Sequence, residues 1–174
     1  MTQHIILADL SSPDHAQTII HLLDEYAQDP MGGGEPLSQF VRTNLVAELA
    51  KRPGVYVLLA MHDQEAVGMA ICFEGFSTFA CKPLLNIHDV IVSAKYRGHG
   101  IAKRLLAKAE EIAIANGCCK LTLEVLTGNT AAQAAYKAYG FAGYELEPTM
   151  GQAMFWQKKL YPNSSNSNQI NVED

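Results

Sequence analysis

Apolar positions recur along the chain at two periods, and the order in which those periods alternate defines the fold class. Residues 3–8 (QHIILA) form a short β-rich run. Ser11-Ser12-Pro13-Asp14 supplies a helix cap with proline in the first turn, and Ile19, Ile20, Leu23 and Tyr26 then share one helical face. Ser38 caps a second predicted helix through about Lys51, with Phe40, Val41, Leu45 and Leu49 at helical spacing and Pro53-Gly54 ending it. Between the two helices lies 29–36 (DPMGGGEP), whose three glycines and two prolines predict a flexible loop.

Val55 to Met61 and Ala66 to Phe76 are predicted strands joined by a four-residue connection, His62-Asp63-Gln64-Glu65. Leu84 to Val92 is a further predicted strand. Ile101, Leu105, Ala109, Ile112 and Ala113 mark a helix from Gly100 to Asn116, which Gly117 terminates. Lys120 to Leu126 (KLTLEVL) alternates strictly and predicts a strand, Thr130 to Tyr139 predicts an alanine-rich helix stopped by Gly140, and Ala153 to Leu160 predicts a last strand. The order β-α-α-β-β-β-α-β-α-β predicts one mixed α/β domain (an α+β sheet with an early meander and a late crossover) over residues 1–161. Residues 162–174, rich in Ser and Asn, are expected to form a disordered tail.

Composition narrows the function classes. The 174 residues are 48% apolar and 18% charged with a net charge of −5, which speaks against a protein that coats nucleic acid. No apolar run approaches the roughly 20 residues that span a bilayer. The first residues carry neither a basic n-region nor a long apolar h-region, so the expected location is the cytoplasm. Cys72, Cys81, Cys118 and Cys119 show no CxxC or Cys/His spacing; they are expected to be reduced thiols, with no metal site. Charge is unevenly placed: residues 1–89 hold eleven acids and four bases, whereas residues 90–109 hold five bases and no acid.

That basic segment contains the most informative stretch, Val90-Ile-Val-Ser-Ala-Lys-Tyr-Arg-Gly-His-Gly-Ile-Ala102, a β-branched strand running through a glycine-bearing loop into a helix. Without side chains at Gly98 and Gly100, the loop can turn its N–H groups toward one point beside the helix N-terminus, a geometry that holds phosphate or pyrophosphate. A tight turn whose glycines only satisfy dihedral angles is the alternative. The loop is neither GxxxxGK[ST] nor GxGxxG after a first strand, so a nucleotide-hydrolysing loop and a dinucleotide fold are both poorly supported.

After it come a helix, the strand KLTLEVL, then Asn129, Ala132, Tyr136 and Gly140-Phe141. With Arg97-Gly98-His99-Gly100-Ile101-Ala102 meeting [Q/R]xxGx[G/A], and N…A…YxxxGF in the right order, the chain resembles the GNAT superfamily of N-acetyltransferases. The match is strong from Leu84 to Tyr144 and architectural before that.

The resemblance implies a mostly antiparallel sheet in which Leu84–Val92 and Lys120–Leu126 splay apart to admit acetyl-CoA. Arg97, Gly98, His99, Gly100, Ile101, Ala102 and Lys103 would receive the pyrophosphate, Val90, Ile91 and Val92 would pair with the pantetheine arm, and Asn129 would contact it. Tyr136 matches the tyrosine that protonates the departing thiolate, with core packing as the alternative. For the base that takes the amine's proton, strand alternation places His88 on one face with Val90 and Val92, and Asp89 on the other. His88 is the first choice, Asp89 the second if a bulge intervenes, and Glu74 the third. The 29–36 loop would cover the acceptor, and the Phe76–Cys81 aromatics would line its pocket or join the core. The expected partner is a primary amine of a small molecule or peptide, and homodimers are common in the family. A non-catalytic acyl-CoA sensor with the same fold is the alternative function.

Overall fold

A computed structural model describes residues 3–145, 147, 149 and 151–160 of the chain. Its elements are strand β1 (Gln3–Leu7), helices α1 (Pro13–Ala27) and α2 (Gln39–Ala50), strands β2 (Val55–His62), β3 (Glu65–Ser77) and β4 (Lys82–Val92), helix α3 (Ile101–Ala115), strand β5 (Leu121–Leu123) and helix α4 (Thr130–Tyr139). The helix caps are local. Ser12 and Ser38 hydroxyls accept the N–H groups of His15 and Val41, and Gly140 adopts the left-handed conformation that ends α4.

One sheet runs in the order β1-β2-β3-β4-β5; the first three pairings are antiparallel and β4 with β5 is parallel. The β2–β3 connection is shorter than expected. His62 pairs with Glu65, leaving Asp63-Gln64 as a two-residue turn in which Asp63 takes φ 54°.

Alternate residues of the sheet feed two apolar layers. Val57, Leu59, Met69, Ile71 and Ile91 pack with Ile19 and Leu22 of α1 and Val46 and Leu49 of α2. On the other face Gly68 lies against Ile101 of α3, in line with buried Leu58, Ala70, Leu105 and Leu106. Each of those large side chains contributes roughly 1.5–3 kcal/mol by leaving water. The sheet is thus covered on both faces, and at the β5 end β4 outruns its neighbour and leaves part of its edge open.

The chain divides into two units, residues 1–140 and 141–174. In the second, Glu145 and Gln152 form an isolated antiparallel bridge, and Ala153 N–H donates to Tyr144 O at 3.1 Å. The strand expected over Ala153–Leu160 does not form. Met154, Phe155 and Trp156 are three consecutive apolar residues, all exposed; without alternation they offer no single face to bury, and β-propensity needs a ladder partner to be expressed. The expected tail, 162–174, lies outside the described residues.

Candidate active site

β4 and β5 pair over only three residues, Leu85–Ile87 against Leu121–Leu123. The strand expected to continue to Leu126 stops at Leu123, so Asp89–Val92 of β4 has no strand partner on that side among the described residues. Ser93 N–H donates to Val67 O at 3.0 Å, and in an antiparallel ladder the groups facing the partner recur every second residue. Ile91 therefore bonds toward β3, whereas Val90 and Val92 turn their N–H and C=O groups toward the open side. An extended chain laid there would gain main-chain hydrogen bonds as an added strand does.

Beyond β4 a single 3-10 turn, Ala94–Tyr96, leads into the loop of Arg97, Gly98, His99 and Gly100. All four are exposed, and the two glycines take φ 82° and 73°. That left-handed backbone is costly for residues with a Cβ. Gly100 caps α3 with no side-chain bond, so the N–H groups of Ile101, Ala102 and Lys103 meet no side-chain acceptor at the positive end of a 15-residue helix. A Cβ on Gly98 would meet nothing within 4 Å, so the loop has space beside it. Open strand edge, glycine loop and helix N-terminus lie in succession, and they fit the pantetheine and pyrophosphate of coenzyme A.

The basic residues around this loop divide by role. Lys95 and Lys103 are exposed. Arg104 instead donates to Gln3 of β1, and Lys108 pairs with Glu111 at 2.7 Å. Arg97 donates through Nε to Val92 O at 3.2 Å and through Nη2 to the Asp29 carboxylate at 2.9 Å.

At the other end of the open edge the strand is irregular. Ile71 pairs with Asp89 and Cys72 with Ile87, so His88 is an extra residue in β4. This bulge takes His88 out of the expected alternation, while Asp89 and Val90 keep the opposite faces that the period of two gives them. Asp89 falls on the face of Ile71, Met69 and Ile91, toward α1, while Val90 faces α3 with Ala70. His88 does not share a face with Val90: its exposed ring stands edge-on to Phe73, centroids 5.4 Å apart, on the α1 side. The bulge therefore brings two of the three candidate bases, His88 and Asp89, to one face, while Glu74 pairs with Leu85 further down β3 and is exposed.

Asp89 is half-buried, and no hydrogen bond or ion pair holds its carboxylate among the described residues. Burial pushes its carboxyl above the usual range, and the neighbouring His88 opposes that shift. A desolvated carboxylate held by no hydrogen bond or ion pair can take a proton from, or hold, an incoming ammonium. Across from it stands Tyr26 of α1, whose phenol donates to Met31 O at 3.2 Å. Burial first, then Asp89 and Asp29, raise the Tyr26 phenol, and Arg97 works the other way. Tyr136 of α4 is half-buried and raised mainly by burial, with Tyr26 adding to the shift, so it keeps its proton well into the alkaline range. Asn129 Oδ1 caps α4 by accepting Ala132 N–H at 3.1 Å, which fixes the helix carrying Tyr136.

Other expectations are corrected. The 29–36 loop is a bonded turn: Asp29 O accepts the N–H groups of Gly32 and Gly34, Asp29 Oδ1 accepts Met31 N–H at 2.9 Å, and Glu35 N–H donates to Ala27 O. Gly32 is required by close approach, since a Cβ there would lie 2.0 Å from the Tyr26 carbonyl oxygen. Gly32→Ala is expected to cost about 1–3 kcal/mol of unfolding free energy, read by urea titration. Phe76 and Phe79 join no core; they are exposed at the β3–β4 turn, 61% and 104%. All four cysteines are free. Burial, with Asp89 adding, pushes the Cys72 thiol up to about 12, which makes it a poor nucleophile. No group of three or more His, Cys, Asp or Glu converges as a metal site among the described residues, and no helix there is long and apolar enough to cross a membrane. Sequence reasoning missed Tyr26 and Glu25 as parts of the site, and placed Asp29 only in the loop over the acceptor, because nothing at the end of α1 reveals what packs across from it.

The architecture is thus a mixed five-stranded sheet flanked by four helices, with an open strand edge running into a glycine loop, a fold class shared with acetyltransferases of solved structure. The acetyltransferase (GNAT) family model matches residues 18–141, and the chain belongs to that family. It is 33% identical over 96 residues to the thialysine N-epsilon-acetyltransferase of Bos taurus, covering 55% of this chain and 53% of that protein. It is 28% identical over 141 residues to the glucosamine 6-phosphate N-acetyltransferase of Trypanosoma brucei brucei, covering 79% and 86%. The chain thus spans about half the length of the first of these relatives. Among solved structures, a Vibrio cholerae integron cassette protein superposes with a TM-score of 0.73 at 21% identity over 91% of this chain and 93% of that one. An aminoglycoside N-acetyltransferase in complex with CoA gives 0.69 at 18% identity over 91% and 96%. These two likenesses show the fold.

Proposed function

We propose that the chain is an N-acetyltransferase that moves the acetyl group of acetyl-CoA directly onto a primary amine. The observation that carries the reading is the open β4 edge at Val90 and Val92, continuous with the Gly98–Gly100 loop and the α3 N-terminus. Bound there, acetyl-CoA supplies an acetyl group activated as a thioester. Arg97, Gly98, His99, Gly100, Ile101, Ala102 and Lys103 hold the pyrophosphate through main-chain N–H groups and the loop's positive charge. Val90 and Val92 align the pantetheine arm through their outward N–H and C=O groups, Ile91 between them being tied to β3, with Asn129 beside the arm.

Asp89 accepts the proton that the ammonium must lose, and the Tyr136 phenol donates one to the departing sulfur. His88, exposed at the bulge, tunes Asp89 through its charge and is the second choice for the base. Direct transfer is favoured because the buried Cys72 thiol is held far from ionisation. The acceptor is a primary amine of a small molecule or peptide, which suits the unpaired Asp89 and the acid-rich first half of the chain. A cytoplasmic setting fits such metabolites.

The test is release of free coenzyme A from acetyl-CoA with a panel of amines that includes thialysine and glucosamine 6-phosphate, taken from the relatives' substrates. At least one amine is expected to drive release. Tight coenzyme A binding with no release for any amine would favour the non-catalytic sensor.

A further inference from the structure

The last turn of α1 and the residue just past its cap hold the segment between β4 and α3 at two points. Glu25 Oε1 accepts Ser93 Oγ–H at 2.9 Å and Ala94 N–H at 3.3 Å. Four residues on, Asp29 Oδ2 accepts Arg97 Nη2 at 2.9 Å. The same Asp29 carboxylate accepts Met31 N–H through its other oxygen, and Met31 O in turn accepts the Tyr26 phenol. One side chain is thereby bonded on one side to the pyrophosphate loop and on the other to the 29–36 turn.

We propose that Asp29 is a positioning residue through which coenzyme A bound at the 97–103 loop orders the 29–36 turn on the acceptor side. This rests on the acetyltransferase reading. The chemistry permits it because a guanidinium carries five N–H donors in a rigid plane. Arg97 spends its Nε on Val92 O and one Nη2 donor on Asp29, and its Nη1 group makes no hydrogen bond among the described residues. A phosphate oxygen can take Nη1 without displacing either anchor. Once the guanidinium is held from that side, Asp29 faces a fixed donor instead of a mobile one. The turn that Asp29 organises through Met31, Gly32 and Gly34 then opens less often. Acceptor binding after coenzyme A consequently meets a turn whose ordering entropy has already been lost.

Asp29→Asn is the informative variant. Its side-chain oxygen still accepts Met31 N–H, so the turn can form, but it no longer presents a carboxylate to Arg97. Backbone amide exchange of the full chain, with and without coenzyme A, reads the effect without requiring a known amine. In the wild type, coenzyme A is expected to slow exchange over residues 31–35 by about fivefold. In Asp29→Asn that slowing is lost, while the coenzyme A dissociation constant changes by less than about threefold. Arg97→Gln loses the slowing as well, and the double variant loses nothing further, which a role confined to the turn itself would not produce. Retention of the slowing in Asp29→Asn, or coenzyme A binding with no response at 31–35 in the wild type, overturns this inference alone. A wild-type chain that binds no coenzyme A overturns both it and the acetyltransferase reading.

Discussion

Asp89→Asn is expected to lower kcat/KM for the amine by about 10²–10⁴-fold, roughly 3–5 kcal/mol of transition-state stabilisation. The amide is nearly the same size and keeps the strand register, so the loss reports proton acceptance and not packing. Steady-state rates across pH test this directly. In the wild type, kcat/KM falls on the acid side as Asp89 becomes protonated, and burial places that fall above the usual carboxylate range. The asparagine variant loses the acidic limb. His88→Ala keeps it and moves it toward neutral pH, because His88 is the charge that holds the Asp89 carboxyl down. If His88→Ala abolished the limb and Asp89→Asn kept it, the roles would be exchanged.

The same substitution affects stability with the opposite sign. A carboxyl whose folded pKa is raised contributes most below its unfolded value, 3.8, and that contribution is lost as pH rises through the folded value. Asp89→Asn is therefore expected to melt roughly 2–4 °C higher than the wild type at neutral pH, with the difference vanishing at low pH. Gain of stability with loss of turnover is the signature of a group kept for chemistry.

Tyr136→Phe is expected to lower kcat by about 10²-fold while the apparent KM values change little. A proton given to a departing sulfur matters in the transition state and hardly at all in the ground state, so the loss falls on kcat. Burial raises the phenol above 10, so the wild type keeps its general acid through neutral pH and loses it only in strongly alkaline solution. The variant lacks that alkaline limb. An acetyl thioester whose thiol is more acidic needs less protonation on leaving, and it should narrow the gap between the two proteins. An equal loss for both donors would assign Tyr136 to packing.

Much of the architecture is legible in local pattern. α4 and its glycine stop lie where alanine content and Gly140 place them, and α1 begins at the proline after its serine cap. The glycine loop is legible too, because only glycine adopts φ near +70–80° cheaply, and two such residues between a strand and a helix leave few other uses for them. The 29–36 segment shows where composition misleads. Glycine and proline report that a segment is neither helix nor strand, but not whether its carbonyls are bonded. Gly32 is present because the Tyr26 carbonyl leaves no room for a Cβ.

The sequence by itself determined the mixed sheet, the glycine loop between strand and helix, and the residues proposed for proton transfer. Only the tertiary structure decided which of those residues meet. The bulge at His88 comes from the pairing of β4 with β3, and no residue type in Ile87-His88-Asp89-Val90 announces it; one extra residue in a period of two exchanges the faces of everything beyond it. That exchange puts Asp89 opposite Tyr26. In the same way the contact of Asp29 with Arg97 joins residues 68 positions apart, and such a pairing is set by how α1 lies on the sheet, which depends on the packed core as a whole.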